Sequence, residues 1–326
     1  MISNTGKGYI LGAVASITYG MNPLFVLPLY ENGMDADSVL FFRYFFGIVI
    51  LGAMLYIRQP RGVNEPYTEG RSRWSVFRLK WRQAIILACY GVLMAMSSLG
   101  LFLSYNYMDA GIASTILFVY PVIVAILMAV FHHERLTLQT VMCILTALLG
   151  IFLLYQQGDG ATLSITGTLL VMVSAFTYAL YLVEVNRHGI SDIPTLKVTF
   201  YVLLFGLGLY MARGIYNGGI STPTADKWYL WFNLIALGLL PTAISFLCTT
   251  AAIQYIGSTP VAILGALEPA TAVFFGIVVF GEELTLREFT GLTLIILAVT
   301  AVVAGGKISH PLTRFRKLFP KHRSKD

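Results

Sequence analysis

Charge is what this sequence has least of. Asp, Glu, Lys and Arg make up 12% of its 326 residues, about half the share usual in soluble domains. A globule of this length could not cover its surface with so few charges. A soluble enzyme, a soluble nucleic-acid-binding protein and a disordered scaffold are therefore excluded for the chain as a whole. Cysteine is also scarce. Cys89, Cys143 and Cys248 all fall inside apolar runs and read as small core hydrophobes, so no disulfide framework follows. The sequence has no phosphate-binding glycine loop, no His-Glu-x-x-His pair and no Gly-x-Ser-x-Gly elbow. No catalytic residue, metal or cofactor is expected, and ATP-driven pumping by this chain alone is not expected either.

What the sequence has in abundance is apolar length. Hydrophobic residues reach 57% and the mean hydropathy is +0.74. A membrane-spanning helix needs about 20 apolar residues. Ten such segments can be read, at roughly 8–30, 39–57, 84–105, 112–131, 137–155, 165–184, 195–212, 229–252, 258–280 and 288–306. The first, preceded by Lys7, is longer than a signal-peptide core and runs straight into further spans, so it reads as a retained helix. The expected fold class is an all-α integral membrane protein of ten transmembrane helices.

The distribution of Lys and Arg orients those spans. Arg58, Arg61, Arg71, Arg73, Arg78, Lys80 and Arg82 fill the loop after the second span. Lys307, Arg314, Arg316, Lys317, Lys321, Arg323 and Lys325 fill the C-terminal tail. With Lys7, Arg135 and Arg187 they share one side, against Arg213, Lys227 and Arg287 on the other. Both termini are therefore expected in the cytoplasm. The pI of 9.2 and net charge of +6 reflect topology signals and contacts to anionic lipid at 58–83 and 307–326, with no nucleic-acid partner. Between Arg73 and Gln83, the residues Trp74, Phe77 and Trp81 recur at helical spacing among Arg78, Lys80 and Arg82. This pattern predicts a short amphipathic helix lying in the interface.

The chain also repeats itself. Shifted by 159, Gly8, Leu11, Val14, Thr18 and Tyr19 fall on Gly167, Leu170, Val173, Thr177 and Tyr178. Shifted by 148, Tyr107 and Pro121 fall on Tyr255 and Pro269, and Glu134, Leu136, Thr137 and Leu138 fall on Glu282, Leu284, Thr285 and Leu286. The difference between the offsets is supplied by the long basic loop in the first half. Each unit holds five spans, an odd number, so the halves should enter the membrane from opposite sides. That predicts a 5+5 inverted-topology repeat, an architecture many secondary transporters use. The divisions are 1–157 for the first unit, 158–306 for the second and 307–326 for the basic tail.

Within each unit, a small-residue helix is interrupted by proline and followed by a turn of the form Glu-x-Leu-Thr. The first copy runs from Tyr120-Pro121 to His133-Glu134-Arg135-Leu136-Thr137. The second runs from Leu267-Glu268-Pro269 to Gly281-Glu282-Glu283-Leu284-Thr285. Nearly the whole chain thereby resembles two EamA domains of the drug/metabolite transporter superfamily. The resemblance implies a carrier with a midplane cavity between the halves, in the bacterial inner membrane, and it implies no particular substrate. One departure is visible. The related small multidrug-resistance proteins carry a coupling glutamate in their first helix, whereas the matched positions here are Asn22 and Tyr181.

Polar residues inside the spans mark the candidate site. Glu268 lies about ten residues into the ninth span, beside Pro269. A carboxylate at that depth is costly and calls for a reason. It either binds a proton or substrate in the cavity or pins a broken helix. Ser16, Tyr19 and Asn22 line one face of the first span, and Ser174, Tyr178 and Tyr181 line a face of the sixth. Ser97 in the third matches Ser245 in the eighth, where Thr242 and Thr249 share its face. Together with Tyr120, these faces are expected to build a cavity rich in tyrosine and hydroxyls, though the same residues could serve as interhelical hydrogen bonds. Pro23, Pro121, Pro241 and Pro269 are candidate hinges, and Pro28 also interrupts the first span. Arg43, about five residues inside the second span, could attract an anionic group; snorkelling to the interface is the preferred reading. Glu184 reads as interfacial, and His132 and His133 as helix-end residues beside Glu134. Thr137 and Thr285 read as N-caps.

These readings converge on a carrier that exports a small neutral, zwitterionic or aromatic solute by alternating access, coupled to protons through Glu268 or purely facilitative. Import of a similar solute is the alternative within transport; a polytopic enzyme or a channel is the alternative outside it. One chain suffices to build the site, and a dimer stays compatible.

Overall fold

A computed structural model of the chain describes residues 3–57, 77–108, 113, 116–131, 137–154, 164–185, 193–224, 226–280 and 286–308. The described residues are helical or lie in turns and short connections, with no strand among them. The helices are α1 (Asn4–Gly20), α2 (Asn22–Glu31), α3 (Ala36–Ile57), α4 (Trp81–Ser104), α5 (Tyr120–Phe131), α6 (Leu138–Leu154) and α7 (Ile165–Glu184). They continue as α8 (Thr195–Tyr216), α9 (Trp228–Gly238), a π-helical segment (Leu239–Ile244), α10 (Ser245–Ile256), α11 (Ser258–Leu264), α12 (Leu267–Phe280) and α13 (Leu286–Ile308). Each of the ten expected apolar segments contains helix. Six continuous stretches are long and apolar enough to cross a membrane: Asn4–Glu31, Ala36–Ile57, Trp81–Ser104, Ile165–Glu184, Thr195–Tyr216 and Trp228–Ile256. Tyr120–Phe131, Leu138–Leu153 and Phe289–Val302 are shorter apolar helices. The seventh span runs to Tyr216, four residues past its expected end, because Arg213 is held by an acidic partner there.

Local side chains start these helices where the sequence places small hydroxyls. Ser3 Oγ accepts from Gly6 N (3.1 Å), Ser164 Oγ from Gly167 N (3.2 Å) and Thr137 Oγ1 from Thr140 N (3.1 Å). Each satisfies an amide that the first turn leaves without a partner. The amphipathic helix expected over Arg73–Gln83 is not formed as read. Residues 78–80 are non-helical, and α4 begins at Trp81, with Lys80 N donating to Gln83 Oε1 (3.3 Å). The backbone cap there outcompetes a continuous surface helix, so Trp81 belongs to a spanning helix. Residues 73–76, the loop from 58, the tail from 309, Arg187 and the segments 132–136 and 281–285 lie outside the described residues. The readings of His132, His133, Glu134, Glu282 and Thr285 fall there.

The prolines act differently from one another. α1 and α2 break at Met21, with Pro23 in the first turn of α2, whereas Pro28 sits inside α2 without breaking it. Pro121 and Pro269 each occupy the first turn of a half-helix, α5 and α12. The backbone turns just before them, at 118–119 and 265–266. Proline is tolerated in a first turn because no amide is needed there. Pro241 does not break the eighth span, contrary to expectation. Its missing amide is absorbed by the π-helical segment, where Thr242 Oγ1 donates to Leu237 O (2.8 Å).

Glycines set how closely the helices approach. A Cβ on Gly91 of α4 would stand 2.7 Å from Val202 O and 3.0 Å from Gly206 N of α8. A Cβ on Gly238 of α9 would stand 3.2 Å from Gly47 N of α3. Small residues permit such backbone contact, which drives helix association in lipid. The main packed pairs are α4 with α7 and α8, α1 with α10, α3 with α8, and α6 with α13. At the α11–α12 break, Gly265 leaves a notch filled by the Tyr120 ring; an added Cβ would lie 1.6 Å from its hydroxyl.

Polar side chains fasten one face of the bundle. Asp37 in the first turn of α3 accepts from Arg213 Nε (2.8 Å) and Nη2 (3.2 Å) and from Asn217 Nδ2 (2.7 Å). Gly218 and Gly219, at φ 99° and 121°, turn the chain back sharply after α8, a conformation only glycine adopts freely. That return brings Ser221 Oγ to Asp35 Oδ1 (2.7 Å) and Ser221 N to Ser38 Oγ (2.8 Å). Partial burial raises the Asp35 carboxyl, but the Ser38 and Ser221 donors outweigh it and hold the group below its ordinary value.

Two outcomes follow from this packing. Gly265→Ala should lower the thermal unfolding midpoint of the detergent-purified protein, and adding Tyr120→Phe should recover part of the loss, since the clash is with the hydroxyl. Equal midpoints for Gly265→Ala and wild type would refute the notch. On the fastened face, Asp37→Asn should cost about 1–3 kcal/mol, the range for hydrogen bonds to a charged group. Asp35 adds an acid dependence: a depressed carboxyl stabilises at neutral pH, and that contribution is lost as pH falls through its folded value. The midpoint of Asp35→Asn should accordingly change less with acid than that of wild type.

Candidate functional site

A pocket forms where three helix breaks meet. Its walls include Tyr19, Gly20, Asn22 and Pro23 at the α1–α2 break, Leu117, Phe118 and Tyr120 at the second, and Glu268 and Pro269 at the third. Leu101 and Tyr105 close it from the end of α4. The break geometry is what brings these residues together. A Cβ on Gly20 would stand 2.4 Å from Glu268 O, so the end of α1 rests directly on the backbone of the half-helix that carries Glu268.

The chemistry of the walls is unbalanced. Among the described residues, neither Oδ1 nor Nδ2 of the buried Asn22 side chain has a hydrogen-bond partner. Buried polar groups are normally paired, and each exception calls for an explanation. Glu268 supplies a carboxylate to the same pocket. Tyr120 is 1% exposed, and its ring meets Tyr178 edge-on at 4.9 Å. The pocket is thus a mostly aromatic and apolar recess of about 40 Å³, with the Glu268 carboxyl and the Asn22 amide among its walls.

Among the residues expected at the site, Tyr19, Asn22, Tyr120, Glu268, Pro23 and Pro269 line this pocket. Tyr178 supports it from behind through Tyr120. The others lie elsewhere. Ser174 Oγ donates to Ser97 O (2.7 Å), and Ser245 Oγ donates to Ala15 O (2.9 Å), each joining two helices. Tyr181 Oη shares a hydrogen bond with Thr250 (3.2 Å). Thr242 serves the π-helical segment. Pro121 follows Tyr120 within α5, and Pro241 is not among the lining residues. In the structure these hydroxyls bond helix to helix.

Arg43 does not snorkel. It is 0% exposed. Its Nε donates to Thr242 Oγ1 (2.7 Å) and its Nη2 to Pro241 O (3.2 Å), while Nη1 has no partner. Its guanidinium lies over the rings of Tyr19 (5.4 Å), Phe102 (5.4 Å) and Phe246 (5.8 Å). The Pro241 carbonyl and the Thr242 hydroxyl give it inward partners. Its setting among Phe41, Phe42, Tyr44, Phe45 and Phe46 was the available signal. Glu184, half-buried at the end of α7, offers its backbone carbonyl to Tyr90 Oη (2.8 Å). Among the described residues, no group of three His, Cys, Asp or Glu side chains could hold a metal ion.

The EamA-like transporter family matches residues 6–156 and again residues 165–304. An uncharacterized transporter of Bacillus subtilis, YcbK, is 22% identical over 89% of this chain and 90% of its own. The uncharacterized inner membrane transporter YicL of Salmonella typhimurium is 24% identical over 92% and 96%. An uncharacterized transporter of Archaeoglobus fulgidus is 26% identical over 82% and 86%. A solved protein structure covers 91% of this chain and 96% of its own at a TM-score of 0.74 and 18% identity, which shows a shared fold. With both matches spanning most of its length, the chain belongs to the EamA-like transporter family and is a multi-pass membrane transporter.

Proposed function

We propose that this chain exports a small neutral, zwitterionic or aromatic solute by alternating access, and that the recess around Asn22 and Glu268 is its substrate site. The observation that carries the reading is the pair of buried, unsatisfied Asn22 atoms beside a carboxylate at the junction of broken helices. Transporters build midplane sites from such discontinuous helices, whose ends supply polar groups.

The inverted 5+5 arrangement is part of the proposal, and the packing supports it. The breaks at 118–119 and 265–266 fall within one residue of each other under the 148 shift. Gly8 packs on Tyr255 and Ile256, and Gly167 packs on Tyr107 and Met108; the 159 and 148 shifts interconvert the two contacts. The residue pairs Ser245–Ala15 and Ser97–Ser174 are interconverted as well, with Ser245 the donor in one and Ser174 in the other. Two equivalent interfaces of this kind give a carrier two alternative closures at similar energy. With Lys and Arg sorted as they are, the termini and the basic loop face the cytoplasm of a bacterial cell and the Asp37–Arg213 face lies outside. Either proton exchange through Glu268 or facilitated diffusion supplies the driving force.

Glu268→Gln should abolish or uncouple solute counterflow in proteoliposomes while leaving expression intact. Full activity with an unchanged pH profile would remove Glu268 from the mechanism. Comparing right-side-out with inverted vesicles separates export from import, and saturable counterflow separates a carrier from a channel.

A further inference from the structure

Arg43 is a buried cation with no ion-pair partner among the described residues. Its side-chain partners are a hydroxyl, a carbonyl and three aromatic rings, all neutral, and no carboxylate among the described residues pairs with it. Taking a guanidinium out of water is costly. The cation–π contacts and the two charge-assisted hydrogen bonds return part of that cost. They engage Nε and Nη2, and among the described residues Nη1 has no hydrogen-bond partner. The packing therefore accounts for two of the three guanidinium nitrogens and leaves the third without a role.

Its position relative to the recess gives the reason. The ring under the guanidinium is Tyr19, and Tyr19 is itself a wall of the recess. Asn22, with its own two unpaired atoms, lies one helical turn further along the chain. Glu268 lines the same recess. The Tyr19 ring thus touches both the Arg43 guanidinium and a recess that contains the Glu268 carboxyl and the Asn22 amide.

We propose that Arg43 is a specificity-determining residue, the receptor for a carboxylate group of the transported solute, which reaches Nη1 when the Tyr19 ring turns aside. Nε and Nη2 stay anchored to Thr242 and Pro241 and fix the plane of the guanidinium, leaving Nη1 as the presented donor. The matching solute is small and carries a carboxylate, with further polar groups for Asn22 and Glu268. The inference rests on the recess being the transport site.

The test compares L-leucine, L-phenylalanine and L-threonine, each against its own carboxamide. Binding is read by thermal shift of the purified protein, and transport by counterflow in proteoliposomes. Wild type should prefer at least one carboxylate over its amide by about tenfold or more, as expected when one partner of a buried charge pair is lost. Arg43→Gln should bring that ratio close to one, and Arg43→Lys should keep part of it. The wild-type ratio needs no variant to fold, so a destabilised Arg43→Gln does not spare the proposal. Wild type showing no carboxylate preference in any pair, or Arg43→Gln retaining the full preference, overturns it. Counterflow without carboxylate preference would overturn the subsite and leave the transport reading standing. Arg43-dependent binding without flux would overturn the transport reading and leave the subsite standing.

Discussion

In a hydrocarbon layer every peptide N–H and C=O must find its partner inside the protein, and the structure of this chain turns on where that rule is hard to obey. Most of the chain satisfies it with unbroken helix. Where proline or a turn interrupts the ladder, a side chain or a neighbouring helix takes over. Thr242 bonds the Leu237 carbonyl near Pro241, and Arg43 bonds the carbonyl of Pro241 itself. The breaks at Met21, 118–119 and 265–266 are buried or half-buried, and the interior is where a polar recess can be built.

The same rule explains the role of glycine. A helix break exposes backbone polar groups that only a closely approaching neighbour can shield. Gly20 allows α1 to touch the backbone at Glu268, and Gly265 allows Tyr120 to sit in the opposite break. The recess is held open between these two contacts. The close pairs Gly91–Gly206 and Gly47–Gly238 set the distance between α4 and α8 and between α3 and α9, outside the recess. A methyl group at any of those four positions would act through the spacing of helices.

Much of this could be read from the sequence, for physical reasons that differ by feature. The spans were legible because an apolar run of about 20 residues has few other uses. Glu268 was legible because a carboxylate has almost no place in such a run. Ser97 and Ser245 were expected on the cavity wall and instead join helices. A hydroxyl facing a cavity and one facing a neighbouring carbonyl leave the same pattern in the sequence, and only packing separates them. Arg43 was misread for a matter of reach. Five residues of helix rise about 7.5 Å, within the length of an arginine, so snorkelling and burial were geometrically equivalent until the acceptors on the eighth span were in place. Pro241 reads as a hinge in the sequence, but a π-helical segment absorbs the missing amide without a break in the span.

Arg43 lies on α3 within the first family match, and Glu268 lies on α12 within the second. Tyr19 of α1 touches both places: its ring lies under the Arg43 guanidinium, and it lines the recess together with Glu268. α1 rests on the backbone at Glu268 through Gly20 and is bonded to the eighth span by Ser245. The helix that carries the Tyr19 ring is thus tied to α12 and to α10, both within the second match. A rearrangement of those two contacts moves α1, and with it the ring that meets the guanidinium and lines the recess, so the packing of α1 and the surroundings of Arg43 are mechanically coupled.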